Sequence, residues 1–445
     1  MSQLSAGTQA TSVGRSEGRA SPSMRDVVAV VAGNALEFYD FTVYAFFSVF
    51  IGRAFFPSFS PATQIIGAVA VFGVGFVARP LGGVVIGAYA DRRGRKAALT
   101  LTFGLMALGT AIIAFTPTYA HIGIFAPLLV VIGRLLQGLS AGGEAGPATS
   151  YLLETAAAGR RGLYTSWQLA TQGIAALMGG LVGYTVSSVL SVEALGAWGW
   201  RIPFMLGLLI APLGIYIRSR LRETLNAEHA VKSNRELLRG IVDTHLSELV
   251  LSSCVLIGPT ITVYVVGHYM TTYGIRVLHL PTSTSMLVGL VTGGVGIVAS
   301  LGAGIYFDRF PRSRLLVVPQ FLSILAVLPM FAWALHAGTG SVFLGMVALL
   351  TLLRVLMSPF HLCVIPELFP QAVRSTCVSI CYSVPTTIFG GTAQLVVAWL
   401  ATVTPNPMAP AWYLLGANVI SFAAVFVLDR RRRARLTDQE NRINR

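Results

Sequence analysis

The chain has 445 residues, 54% of them hydrophobic and only 11% charged, with a formal net charge of +14. A soluble domain carries about 25% charged residues, so that class is excluded, and apolar blocks of roughly 20 residues match the length that crosses a bilayer core. The excess Lys and Arg lies mainly in the tails and in alternate loops, a membrane-topology pattern and not a nucleic-acid surface.

Residues 1–26 are rich in Ser, Gly and Arg without an apolar core, and read as a disordered cytoplasmic tail and not a signal peptide. Twelve apolar spans are predicted after it: 27–51, 62–89, 97–115, 122–152, 162–189, 200–219, 245–272, 283–306, 314–336, 341–364, 373–402 and 410–430. Several exceed the length needed to cross, which implies tilt or kinks, with Pro147 and Pro385 as natural kink points. The polar stretch 221–244 reads as a cytoplasmic linker. The predicted fold is therefore an all-α membrane protein of twelve transmembrane helices in two six-helix bundles, 27–220 and 245–430, with a cytoplasmic tail over 431–445. Both termini lie in the cytoplasm, and the membrane is the cell inner membrane.

In the first span Asn34, Glu37, Asp40 and Tyr44 fall at i, +3, +6 and +10, one stripe of a helix. At 1.5 Å per residue Glu37 lies about 15 Å into its span, near the midplane. A carboxylate that gains and loses a proton as its surroundings dry and wet is what proton coupling requires. Glu37 and Asp40 are the candidates. The alternative for either is a structural ion pair with Arg79 or Arg134.

The fourth span carries Arg134, Gln137, Ala141 and Glu144 on one face. Charge against hydrocarbon is costly, so this face must meet a cavity or a partner. Arg134 stays protonated, and its guanidinium fork suits a carboxylate bidentately. Arg354, 13 residues into the tenth span, is its counterpart in the second half. Two cations, one per bundle, would suit a di- or tricarboxylate; alternatively Arg134 pairs internally with Glu144 or Glu37. Glu144 is a further proton-relay candidate. Neutral polar faces occur on the fifth span (Gln168, Gln172), the seventh (Tyr264, His268) and the eleventh (Tyr382). With Asn34, Tyr44 and Gln137 they are candidates for substrate contact, against the alternative of helix–helix hydrogen bonds. Cys254, Cys363, Cys377 and Cys381 all fall in apolar spans and read as packing residues. Gly294-Val-Gly296 imitates a dinucleotide fingerprint, but inside a span with no strand before it.

An internal repeat supports the two-bundle division. Gly87-Ala-Tyr-Ala-Asp91-Arg92-Arg93-Gly94-Arg95-Lys96 follows the second span, and Gly304-Ile-Tyr-Phe-Asp308-Arg309 follows the eighth; Glu154…Arg161 and Glu367…Arg374 echo each other after the fourth and tenth. Asp91 and Asp308 with their basic turns, Arg95 among them, are read as gating residues that pin helices in one state and release them in another.

The Gly87–Lys96 segment resembles the signature loop of the major facilitator superfamily. Gly33-Asn34-Ala-Leu-Glu37-Phe-Tyr39-Asp40-Phe41, Arg79-Pro80-Leu-Gly82-Gly83, Gly133–Glu144, Trp198-Gly-Trp200-Arg201-Ile-Pro203-Phe204 and Pro366-Glu367-Leu-Phe-Pro370-Gln-Ala-Val-Arg374 resemble its metabolite:proton symporter family. Tyr164-Thr-Ser-Trp167-Gln168 is most similar to the citrate and tricarballylate branch. For Arg79 before Pro80, a structural or gating role is what the family resemblance implies. The resemblance implies a transporter and not an enzyme, without a cofactor. Its coupling ion would be H⁺, with Na⁺ as the alternative, and its partners a small organic acid and the bilayer. It would act as a monomer by alternating access, with helices one, four, seven and ten lining the cavity. The alternatives are a carrier of a dicarboxylate, a shikimate-like acid or a zwitterionic osmoprotectant, and, more remotely, a ligand sensor that does not transport.

Overall fold

The structure is a computed structural model that describes residues 35, 37–57, 59–93, 95–155, 159–208, 212, 234–310, 317–370, 374–404 and 406–443. Side chains within it are described except at 87–88, 90–93, 95–96, 98–99, 143–155, 234–243, 374–375 and 432–443. Asn34 therefore lies outside the described residues, as do the side chains of Asp91, Arg95 and Glu144.

Every regular element among the described residues is helical. We label the long segments α1 (37–55, with a turn at Phe47), α2 (Pro61–Arg93), α3 (Arg95–Phe115), α4 (Phe125–Thr155), α5 (Arg161–Val189) and α6 (202–208). Next come α7 (Thr244–Arg276), α8 (Thr282–Arg309), α9 (Val318–Ala337), α10 (Gly340–Glu367), α11 (Thr376–Val403) and α12 (Ala409–Ile443). Among the described residues, nine of them are long and apolar enough to cross a membrane. The predicted spans from the second to the fifth and from the seventh to the eleventh coincide with these helices to within a few residues, while the start of the first and the end of the sixth lie outside the described residues. The exception is the last, which runs as a helix well beyond residue 430 because Arg430 to Ile443 contains neither Gly nor Pro.

Three helices of the second half are interrupted by π-turns: Val265–Tyr269 in α7, Phe360–Val364 in α10 and Thr386–Gly390 in α11. The last begins directly after Pro385, one of the two expected kink points, where the missing N–H and the ring disturb the ladder. Such turns insert one residue and re-aim side chains, often at functional sites.

Glycines set how closely the helices approach. The most extensive helix pair is α5 with α8, and they meet through Gly162–Gly304, Gly173–Gly293 and Gly180–Gly289. A Cβ on Gly180 would stand 2.6 Å from the Leu290 backbone nitrogen, so nothing larger than hydrogen fits. Small residues substitute here for the hydrophobic effect, which does not drive one helix onto another in lipid. The glycines of the fourth span work in the same way: Gly138 and Gly142 lie on the backbone carbonyls of Gly75 and Arg79 of α2.

The Trp198–Phe204 motif anchors the start of α6. Trp200 is fully buried, edge-on to Phe55 and Phe204. Arg201 stacks on Trp200 and donates from Nη2 to the Thr116 carbonyl (2.9 Å), which would otherwise be left open where α3 ends. Tyr39 of α1 donates to the Pro203 carbonyl (2.9 Å). One buried cluster runs through both halves, and a second gathers Leu249, Met357, Cys363, Cys377 and Cys381 near the end bearing Asp308. The four cysteines are free thiols.

Candidate functional site

Between α1 and α5 of the first half and α7, α8 and α10 of the second lies a narrow cavity lined by side chains of both halves. Its polar lining comprises Thr42, Gln172, Thr262, His268, Thr292, Thr351 and Arg354, with Phe38 and Leu169 among the apolar groups. Arg354 is half-buried, and its guanidinium makes no hydrogen bond or ion pair among the described residues. Its field reaches His268 and His361. Thr351, Arg354, Ser358 and His361 fall at 0, +3, +7 and +10, a polar stripe that spacing reveals but that attention to charge alone passes over. The buried Ser358 Oγ and His361 Nε2 have no partner among the described residues.

Arg134 is placed differently from Arg354. It is fully buried within the first half and does not line the cavity. Nη1 donates to Gln137 Oε1 (2.6 Å), and the guanidinium carbon stands 3.6 Å from the centre of the Tyr44 ring, with Phe41 and Phe72 at 5.5 and 5.6 Å. Aromatic faces thus take the place of a carboxylate around much of this cation. Gln137 Nε2 in turn donates to Thr110 Oγ1 (2.8 Å) and, at 3.4 Å, to Asp40 Oδ2, which Thr110 also contacts. Asp40, Thr110, Gln137 and Arg134 form one connected network. Tyr44 Oη donates to the Ala68 carbonyl (3.1 Å), which fixes the ring against Arg134 and leaves the oxygen lone pairs on the side of the cation. Asp40 Oδ1 has no partner among the described residues, and Asp40 borders a narrow cleft with Phe103, Met106 and Gly207. Thr110 was not legible as a site residue, since a single Thr in an apolar helix carries no signal of its own.

Glu37 meets another cation. Its Oε1 is 4.0 Å from Arg79 Nη2, and the Arg79 guanidinium lies over Phe76 (4.2 Å) and Phe41 (4.7 Å). The pair is within electrostatic reach of Tyr264 from α7, whose ring packs on Phe76 (5.2 Å) and stacks on His268 (5.3 Å, 27°). Glu37 and Arg79 thus stand at a seam between the first and second halves.

Gln172 shares the cavity wall with Arg354, whereas Gln168, one turn earlier, is not among its lining residues. Tyr382 packs on the second cluster beside Cys363 and Cys381, apart from the cavity, with its buried hydroxyl unpartnered among the described residues.

Asp308, at the end of α8, accepts from the backbone N–H of Gly162 (2.7 Å, Oδ1) and Leu163 (3.0 Å, Oδ2). A carboxylate here satisfies orphan donors of the first turn of α5 and faces its positive end. At the opposite end of the helices Ser48 and Thr272 share a hydrogen bond (3.0 Å). Hydrogen bonds to a charged group contribute about 1.5–3 kcal/mol each. Asp308→Ala is therefore expected to loosen the joint, and Cys363, 3.5 Å from Thr165 across the same joint, reports it. In a chain with the other three cysteines replaced by Ser, maleimide labelling of Cys363 should accelerate about tenfold or more, and an unchanged rate would remove Asp308 from the gate.

The fold and site define a polytopic helical membrane protein with a charged cavity between its two halves. The sequence profile of the Major Facilitator Superfamily matches residues 31–386, and the chain belongs to that superfamily. It is 35% identical over 411 residues to the citrate-proton symporter of Klebsiella pneumoniae, covering 91% of each chain, and 35% identical over 409 residues to that of Salmonella typhi (90% and 93%). It is 31% identical over 407 residues to the glycine betaine/proline/ectoine/pipecolic acid transporter OusA of Dickeya dadantii (88% and 81%). Among solved structures, the partially occluded inward-open xylose transporter XylE from E. coli superposes with a TM-score of 0.73 at 16% identity, covering 90% of this chain and 96% of that one.

Proposed function

We propose that this protein is a secondary active transporter, not an enzyme, that moves an organic anion together with protons across the inner membrane by alternating access. Citrate, tricarballylate or a similar tricarboxylate is the substrate class. The helices form twelve spans in two six-helix bundles, 27–220 and 245–430, joined by a cytoplasmic linker, with both termini cytoplasmic and a monomer as the working unit. The observation that carries this reading is Arg354, a guanidinium on the wall of the cavity with no counter-charge among the described residues. It leaves the site short of a carboxylate.

Asp40 is assigned the proton. Its free Oδ1 can accept one, whereas Glu37 faces Arg79 directly. While Asp40 is ionised, it and Arg134 balance each other within one network. Once it is protonated, Arg134 is uncompensated and the first half becomes more attractive to an anion. Proton and anion then bind in favour of each other without touching. Each proton carried in also cancels one substrate charge, worth about 2.3 kcal/mol per 100 mV against an inside-negative potential.

A zwitterionic osmoprotectant is the second reading, favoured by the likeness to OusA. Proteoliposomes with an inward proton gradient separate the two. Accumulation of labelled citrate, uninhibited by glycine betaine or proline, is expected; accumulation of betaine or proline and not of citrate would select the second.

A further inference from the structure

We infer that His268 reads a hydroxyl group on the substrate, so that the cavity selects a hydroxy-carboxylate over the same carboxylate without its hydroxyl. This rests on the reading of the cavity as an organic-anion site. The π-turn Val265–Tyr269 holds His268 so that its Nδ1 lies 3.0 Å from the Val263 carbonyl oxygen, five residues back. A carbonyl oxygen only accepts, so Nδ1 must carry the hydrogen. In the neutral ring Nε2 is then a bare acceptor at the far side from that carbonyl, and it is buried without a partner among the described residues. Stacking on Tyr264 at 5.3 Å, with Phe46 and Phe72 each at 6.4 Å, fixes the plane of the ring.

The threonines beside it have the same polarity. Thr42, Thr262 and Thr292 each give their hydroxyl hydrogen to a carbonyl four residues back in their own helix, at 2.7, 2.7 and 2.8 Å. What they turn to a ligand is therefore lone pairs. The wall thus offers the Arg354 guanidinium for a carboxylate, and acceptors that a tricarboxylate cannot satisfy with carboxylate oxygens. An O–H on the same molecule satisfies them. An ammonium group would also donate, but the cavity lining contains no carboxylate to balance a second positive charge beside Arg354.

Citrate and tricarballylate carry the same three carboxylates on the same carbons and differ by that one hydroxyl, so they are the probes. Titration calorimetry on the purified full chain should give a dissociation constant about tenfold or more lower for citrate, since an unsatisfied buried acceptor costs roughly that much. His268→Phe keeps a flat ring against Tyr264 and removes Nε2. It should bring the two affinities within about threefold of each other while leaving that for tricarballylate nearly unchanged. His268→Leu should do the same and guards against a folding defect peculiar to Phe. Equal affinities in the unaltered protein, a citrate preference that survives both substitutions, or tighter binding of proline than of citrate would each overturn the inference. Binding of neither tricarboxylate would overturn the organic-anion reading itself, a result distinct from equal binding of both.

Discussion

Arg354→Gln is expected to raise the dissociation constant for a tricarboxylate about a hundredfold, the largest single effect on binding. Removing one member of a desolvated charge pair costs roughly 2–5 kcal/mol, and the cavity lining holds no second cation to take over. Arg354→Lys should recover part of this, because an ammonium restores the charge without the planar fork that meets a carboxylate through two hydrogen bonds. The loss should be confined to binding. A half-buried cation with no counter-charge among the described residues is itself costly to fold around, so a neutral Gln at this position should leave thermal stability equal or higher. Calorimetry and a melting curve on each variant check both halves of the statement. A melting temperature that falls with the affinity would make Arg354 a structural residue. The contrasting variant is Arg134→Gln, which removes a cation held over Tyr44, Phe41 and Phe72 and should destabilise the first half.

Asp40→Asn is expected to abolish uphill accumulation while sparing exchange. The amide imitates the protonated acid in charge and shape, so Arg134 is left uncompensated at every pH and substrate binding should lose its pH dependence. Exchange of external for internal substrate needs no net proton movement and should proceed within a few-fold of the unaltered rate. Accumulation driven by a pH gradient gains about tenfold per pH unit for each coupled proton, and in this variant the ratio of internal to external substrate should collapse to one. Glu37→Gln should differ. With Arg79 at the seam beside Tyr264, its loss should slow the conformational cycle and reduce exchange and accumulation together. Measuring both modes in the same vesicles separates a proton carrier from a gate.

Most of the architecture was legible because lipid imposes a simple rule: a helix must hide its backbone and present apolar side chains over a fixed length. The helices α2, α4, α5 and α8 begin and end close to where hydropathy puts them. The charged stripes were legible for the same reason, since charges inside such spans are costly and few. What periodicity could not give is the neighbour each charge meets. Glu37 and Asp40 are three residues apart, about 60° around a helix, and that rotation is enough to turn one to Arg79 of α2 and the other to Thr110 of α3. Arg134 shows the same limit. Its sequence context offers Glu144, Glu37 or a substrate as partners, and among the described side chains the folded chain sets it against an amide and three aromatic faces, which that context does not reveal. Cation–π contacts between distant spans leave no mark in a local pattern. The π-turns are hidden in the same way, because a stretch such as Val265–Tyr269 has the composition of any apolar helix, and only packing selects the wider turn.

The central claim is that a proton on Asp40 and an anion on Arg354 are carried in the same cycle. The most direct test is proton entry itself, in sealed vesicles held at zero membrane potential with a pH indicator trapped inside. Adding citrate outside should acidify the interior in step with citrate uptake in the unaltered protein, and should leave the internal pH unchanged in Asp40→Asn although citrate still exchanges. Citrate-dependent acidification that persists in Asp40→Asn, or citrate uptake by the unaltered protein with no acidification, would contradict the account.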